Sequence, residues 1–295
     1  MKQCTVIGAG TMGNGIAHVF ASNGYDVALY DLHQSSLDKG LASIEKNLNR
    51  QVSKDLLTAS EAEAAHQRIH CHLNLSEAVK GSDIVIEAAT ENEALKLSIF
   101  KELDALCDPE TILATNTSSI AIGKIAAATQ RAEKVIGMHF MNPVPVMKLV
   151  EIIRGYKTSD ATTDAVVARA KSLGKRPVEC NDYPGFVANR ILMPMINEAI
   201  EALQTGVAGV SEIDSIMKMG MAHPMGPLQL ADFIGLDVCL SILQVLHSAL
   251  GQPKYAPNSL LVSMVTAGDL GVKSGRGFYD YANGVKQPVV APSFV

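Results

Sequence analysis

The stretch Gly8-Ala9-Gly10-Thr11-Met12-Gly13 decides how this chain is read. Residues 3–8 form a short apolar run. After Gly13 the pattern turns helical, with Ile16, Ala17, Phe20 and Ala21 on one face. A strand, a glycine turn and a helix in that order match the dinucleotide fingerprint. Gly8 permits the tight turn, Gly10 lets the backbone approach a pyrophosphate, and Gly13 allows close helix–strand packing. The helix start at Thr11 and Met12 offers free amides to the anion. A second apolar run, 27–30, ends beside Asp31, eighteen residues after Gly13. A carboxylate there accepts hydrogen bonds from the adenine ribose hydroxyls and repels a 2′-phosphate. Leu32, His33 and Gln34 follow with no arginine, so NAD is expected rather than NADP. FAD is the smaller alternative for the same fingerprint, and the bland alternative is a glycine turn used only for packing.

Working outward, apolar runs at 83–89 and 111–115 are separated by segments of helical period, which implies a parallel sheet covered on both faces. Residues 135–140 and 148–153 are also strand-like, but the linker between them is too short for a crossover helix, so they are expected to pair antiparallel. After Asp182 the character changes. Pro184-Gly185 breaks the chain, and helical period follows over 187–205, 211–219 and 228–250. The expected architecture is an α/β Rossmann-type N-terminal domain, a mostly parallel sheet with an antiparallel extension, over residues 1–182. An all-α C-terminal domain over 183–295 follows, expected to serve the substrate cleft and dimerisation. The tail after Tyr281, rich in proline and valine, is expected to lie loosely on the surface.

Bulk properties narrow the function. A length of 295 residues favours two domains, each able to bury a core. The formal charge of -5 carries no basic excess to hold nucleic acid. The five cysteines, Cys4, Cys71, Cys107, Cys180 and Cys239, show no CxxC spacing and an odd total, which fits free thiols in a reducing compartment. No apolar run approaches the ~18 residues of a membrane span. The first strand starts almost at Met1, leaving no room for a targeting peptide, so a cytoplasmic protein without membrane contact is expected.

The expected hairpin brings His139 and Glu151 near each other. A histidine with a carboxylate partner can take and return a proton near neutral pH, as reactions on alcohols and carbonyls require. Twelve positions apart, the two residues by themselves favour a satisfied structural histidine; the setting gives them a task. Ligands of such sheets sit beyond the carboxyl ends of the strands. Glu91, Asn92 and Lys96 follow one strand end, Asn116, Thr117 and Ser118 another, and His139 and Asn142 close the next. Taken singly, Asn, Thr and Ser there read equally as helix caps.

With these residues placed, the chain resembles the 3-hydroxyacyl-CoA dehydrogenase family in its short, single-function form, almost end to end. The most specific parts are Gly8 to Gly13, Ala114 to Ser119, His139-Phe140-Met141-Asn142-Pro143-Val144-Pro145, Leu149-Val150-Glu151, Asp182 to Arg190, His223-Pro224-Met225-Gly226-Pro227 and Lys273 to Tyr279. The resemblance implies NAD-linked interconversion of an (S)-3-hydroxyacyl-CoA and the 3-ketoacyl-CoA, with short-chain substrates such as 3-hydroxybutyryl-CoA and acetoacetyl-CoA. It makes His139 the base at the hydroxyl proton and Glu151 its orienting partner, with Ser118 and Asn189 hydrogen-bonding at the reacting oxygen and nicotinamide. It also implies cofactor contacts from Glu91, Lys96, Asn116, Asn142 and Lys273, and a homodimer. Lys273 reads equally as a surface lysine before a turn.

Lys46, Arg50 and Lys54 recur at i, i+4 and i+8, opposite Ile44, Leu48, Val52 and Leu56. This basic stripe could hold the phosphates of coenzyme A, with Arg50 and Lys54 as substrate contacts, or be a solvated helix face. Asn47 stands where some relatives have serine. His66, His70, Cys71 and His72 lack metal-ligand spacing and read as an exposed helix end, so no metal is expected. His223 and Asp232 read as a helix start and a cap. Two other functions remain as alternatives: a dehydrogenase of a free hydroxy acid, and a non-catalytic relative of the lens-crystallin kind. Fatty-acid or aromatic breakdown and reductive butyrate-type synthesis are both open as pathways.

Overall fold

In the computed structural model, which describes residues 2–295, Gln3–Ile7 forms β1 with four of its five residues buried, as a strand covered on both faces requires. The chain continues as α1 (Thr11–Ser22), β2 (Asp26–Tyr30), α2 (Gln34–Val52), α3 (Ala59–Gln67), β3 (Ile69–His72), α4 (Leu75–Ala78) and β4 (Ile84–Glu87). Then come α5 (Glu93–Leu106), β5 (Ile112–Thr115), α6 (Ile122–Ala126), β6 (Val135–Phe140), β7 (Leu149–Arg154), α7 (Asp160–Ser172) and β8 (Arg176–Asn181). The eight strands form one sheet in the order β3-β2-β1-β4-β5-β6-β7-β8. β1 to β6 pair in parallel, while β7 runs antiparallel to β6 and carries β8 parallel to itself. The order reverses between β1 and β4, and in such sheets the crevice outside the carboxyl ends at that switch point is where ligands bind.

The mostly parallel sheet with an antiparallel extension is as expected, but it has two further strands, β3 and β8. Both lie at sheet edges. An edge strand lacks one neighbour, so Arg176-Pro177-Val178-Glu179-Cys180-Asn181 keeps a proline and charged groups, and no residue of β8 is fully buried. His70, Cys71 and His72 therefore sit on β3, with His66 at the end of α3, rather than together at an exposed helix end. The basic stripe is also shorter than expected. α2 ends at Val52, so Lys46 and Arg50 lie on its exposed face while Lys54 falls in the following turn. Ile44 and Leu48 are core residues, but Leu56 is 68% exposed and does not continue their face.

The contacts divide the chain into one unit ending at Tyr183 and a second, Pro184–Val295. The second unit is built from α8 (Ala188–Gln204), α9 (Val210–Gly220), α10 (Pro227–Ile234), α11 (Leu236–Leu250) and α12 (Ser259–Ala267). Met193, Ile196, Ile200, Leu228, Leu243, Leu246 and Leu261 meet in its core. The single helix expected over 228–250 is two, bent by 96° at Gly235, whose φ of 102° strongly favours glycine. Among the described residues no single helix is long and apolar enough to cross a membrane.

Asp232 is not a cap. It is buried within α10 and accepts hydrogen bonds from the Phe278 and Tyr279 amides (3.0 and 2.9 Å) and the Tyr281 hydroxyl (3.0 Å). The α10 cap comes from Asp214 of α9, which takes the Leu228 and Gln229 amides at 2.8 and 2.9 Å. Burial pushes the Asp232 carboxyl up to about 6 despite its hydrogen bonds. The C-terminal tail is also held, not loose. β9 (Tyr279–Asp280) pairs with β10 (Val289–Val290), Ala291 is buried, and the Phe294 ring lies 5.7 Å from that of Phe278.

Candidate active site

The glycine turn has the geometry its sequence demands. Gly8 has φ 97°, and a side chain on Gly13 would stand 1.7 Å from the Gly8 carbonyl oxygen, so β1 and α1 approach as only glycine permits. A Cβ on Gly10 would meet nothing within 4 Å, and no side chain caps α1, so the open turn and the helix amides suit a pyrophosphate. Asp31, just past β2, accepts the Ala9 amide at 2.9 Å and the His33 amide at 3.1 Å. These bonds hold its carboxylate beside the turn. The donor set and the space fit a dinucleotide.

At the end of β4 lies a residue the sequence reading passed over. Glu87 is wholly buried, and its Oε1 accepts from Lys96 Nζ at 2.6 Å and from the Ala89 amide at 2.7 Å, while Oε2 accepts from the Thr115 hydroxyl at 2.7 Å. Lys96, 1% exposed, also donates to the Ala89 carbonyl and lies 3.4 Å from Glu91 Oε2. Two of its ammonium donors are thus hydrogen-bonded to protein, and Glu91 stands in ion-pair range. A glutamate inside the apolar run 84–89, with a lysine nine residues on, was the available signal.

Glu91 ties this pair to the next strand end. Its Oε1 accepts from the Thr117 hydroxyl (2.6 Å), the Ser118 and Ser119 amides (2.9 and 3.1 Å) and the Ser119 hydroxyl (2.9 Å), with the Ser118 hydroxyl at 3.3 Å. Burial opposes ionisation of Glu91, but Lys96 and these hydrogen bonds outweigh it and hold the carboxyl below its usual range. Asn92 takes the cap reading, accepting the Leu95 amide at 2.9 Å. The Asn116 side chain accepts the Phe140 amide at 2.8 Å, which fixes the end of β5 to the end of β6 beside His139.

His139 and Glu151 are cross-strand partners in the β6–β7 pair. His139 Nδ1 lies 2.8 Å from Glu151 Oε2, with the residues 8% and 4% exposed. A carboxylate on Nδ1 fixes the tautomer and leaves Nε2 as the nitrogen that can take a proton. Asn142 is exposed in the turn that follows, and its bond to Pro143 is cis. Asp182 caps α6 through the Ile122 and Gly123 amides at 2.9 and 2.7 Å, a role not read from the sequence. The second unit carries Asn189 in the first turn of α8, and Lys273 ion-paired with Asp237. Arg50 and Lys54 stand at the end of α2 and beyond it.

Comparison with known proteins identifies the family. The 3-hydroxyacyl-CoA dehydrogenase NAD binding domain family matches residues 3–183, and the 3-hydroxyacyl-CoA dehydrogenase C-terminal domain family matches residues 185–281. The chain is 56% identical to a probable 3-hydroxybutyryl-CoA dehydrogenase of Bacillus subtilis (strain 168), across 95% of this chain and 98% of that one. It is 54% identical to a 3-hydroxybutyryl-CoA dehydrogenase of Bradyrhizobium diazoefficiens, across 95% and 96%. The crystal structure of (S)-3-hydroxybutyryl-CoA dehydrogenase from Ralstonia eutropha is similar with a TM-score of 0.92 and 49% identity, covering 96% of this chain and 99% of that one.

Proposed function

Because the chain belongs to the 3-hydroxyacyl-CoA dehydrogenase family, we propose that it interconverts (S)-3-hydroxybutyryl-CoA and acetoacetyl-CoA with NAD. The observation that carries this reading is the buried His139–Glu151 pair at the rim of a sheet whose first turn fits a dinucleotide. NAD, when bound, supplies the acceptor for the hydride of C3. Gly8, Gly10, Thr11, Met12 and Gly13 would hold its pyrophosphate and Asp31 its adenine ribose. The protein's own task is the proton. His139 removes it from the 3-hydroxyl as the carbonyl forms, and Glu151 stabilises the imidazolium that results. Ser118 and Asn189 take the hydrogen-bonding roles at the reacting oxygen and nicotinamide by resemblance. Glu91, Lys96, Asn116, Asn142 and Lys273 are assigned to the cofactor in the same way, and Arg50 and Lys54 to coenzyme A.

Relatives above 50% identity are named for a CoA thioester substrate, which leaves the free hydroxy acid and the non-catalytic reading without support. We further propose a homodimer through the helical unit, supported by the exposed Ile191, Val207, Ile216, Met219 and Met221. A cytoplasmic location is supported by five unpaired thiols, three of them buried. NADH-monitored reduction of acetoacetyl-CoA against longer 3-ketoacyl-CoA substrates tests the function: turnover should be fastest with the four-carbon acyl group. The His139→Gln protein should lose most of kcat while binding NADH as before. Wild-type turnover in that variant would overturn the mechanism.

A further inference from the structure

On the first unit, between α1, the end of α2 and the turn joining β6 to β7, lies a cavity of about 140 Å³. Its wall includes His18, Ser22, Gln51, Pro145, Lys148 and Lys175. His18 is 98% buried in the middle of α1; Gln51 stands beside its ring, but among the described residues no group meets either ring nitrogen, or the Ser22 hydroxyl, in good hydrogen-bond geometry. Buried polar groups without partners are uncommon and mark a missing ligand or ordered water. Lys175 is buried too. Its ammonium donates to the Val144 and Met147 carbonyls and has no carboxylate partner, so one of its three donors is uncommitted. Lys148 stands exposed at the mouth, and no carboxylate lines the cavity.

The charge balance distinguishes this site from an ordinary water pocket. Every ionisable group on its wall is a base, and buried charge without a counter-ion is costly. The titration of both buried bases reflects burial first and neighbouring positive charge second. Burial pushes Lys175 down to about 8, with Lys148 adding to the effect. Burial also lowers His18, opposed by Gln51 and assisted by Lys175.

We propose that this cavity binds a phosphoryl-type oxyanion, held by Lys175, the His18 ring, the Ser22 hydroxyl and Lys148. The occupant would fasten the 141–148 turn to α1, and with it the linker between His139 and Glu151. The same chemistry could arrive as free phosphate or on the nucleotide end of coenzyme A, and the test separates the two. Calorimetric titration of the full-length protein with inorganic phosphate, at ionic strength held constant with chloride, should give saturable binding at one site per chain. In His18→Leu and in Ser22→Ala the affinity should fall by about tenfold or more, as loss of a charge-assisted or buried hydrogen bond implies. Melting in phosphate-free buffer identifies either variant that fails to fold, and the other then carries the comparison. If adenosine 3′,5′-bisphosphate binds and inorganic phosphate does not, with the same dependence on His18 and Ser22, the site stands and its phosphoryl group comes on a nucleotide. Heats no larger than those of chloride for both ligands, or binding unchanged in both variants, would overturn the proposal.

Discussion

Replacing Glu151 by glutamine keeps the size of the side chain and a hydrogen bond to His139 Nδ1, but removes the charge. In the native protein that charge lies 2.8 Å from the ring, and both residues are nearly excluded from solvent. Two unit charges about 4 Å apart at an effective dielectric constant near 20 attract by about 4 kcal/mol. His139 becomes cationic only as it takes the substrate proton, so this attraction is realised in the transition state and not in the bound substrate. At ~1.4 kcal/mol per decade, Glu151→Gln should lower kcat by about 10³-fold. KM for (S)-3-hydroxybutyryl-CoA should move by no more than about threefold, because ground-state binding does not use the charge. The β6–β7 register also rests on Met138–Ile152 and Phe140–Val150, so the melting temperature should stay near wild type. Steady-state NAD reduction with (S)-3-hydroxybutyryl-CoA gives kcat and KM, and NADH fluorescence titration checks the cofactor site. A Glu151→Gln enzyme with kcat within about tenfold of wild type would refute the electrostatic role and leave Glu151 as an orienting group only.

Asp31→Ala should reduce the preference for NAD over NADP by about tenfold or more, the value of a hydrogen bond to a charged group; an unchanged ratio of kcat/KM for the two cofactors would exclude the ribose contact. Glu87→Gln leaves the Lys96 charge buried with only Glu91 nearby, and should cost about 3 kcal/mol in urea unfolding. Adding Lys96→Met should recover part of that loss, and additive losses in the double variant would mean the two residues do not act as a pair. Asp232, with a folded pKa of about 6 against about 4 when unfolded, holds a proton in the folded state that the unfolded chain has released. Its contribution is therefore full below pH ~4 and is lost as pH rises to ~6, by on the order of 3 kcal/mol. Asp232→Asn should flatten the stability curve over that window, and a slope as steep as wild type would show that another group carries it.

Those parts of the protein that obey local rules are legible in its residues alone. Glycine at positions 8, 10 and 13 leaves few conformations for a strand-to-helix turn, and the eight residues between β6 and β7 are too few for a crossover, so His139 had to meet Glu151 across a hairpin. Apolar runs marked the strands buried on both faces. They could not mark β3 and β8, because an edge strand need not bury both faces and so carries no apolar run. The rest depended on which side chains the fold brings together. Glu87 passes unread and Lys96 reads only as a strand-end base until the sheet buries them against each other, and Asp232 reads as a cap until β9 is laid over it. The bend at Gly235 and the Asp214 cap on α10 arise from contacts between helices that no single helix encodes. His18 lies in an unremarkable stretch of α1, and only the arrival of Lys148 and Lys175 from more than a hundred residues away makes its surroundings basic. Partners distant in the chain are joined by tertiary packing, and burial then decides which charges and hydrogen bonds matter.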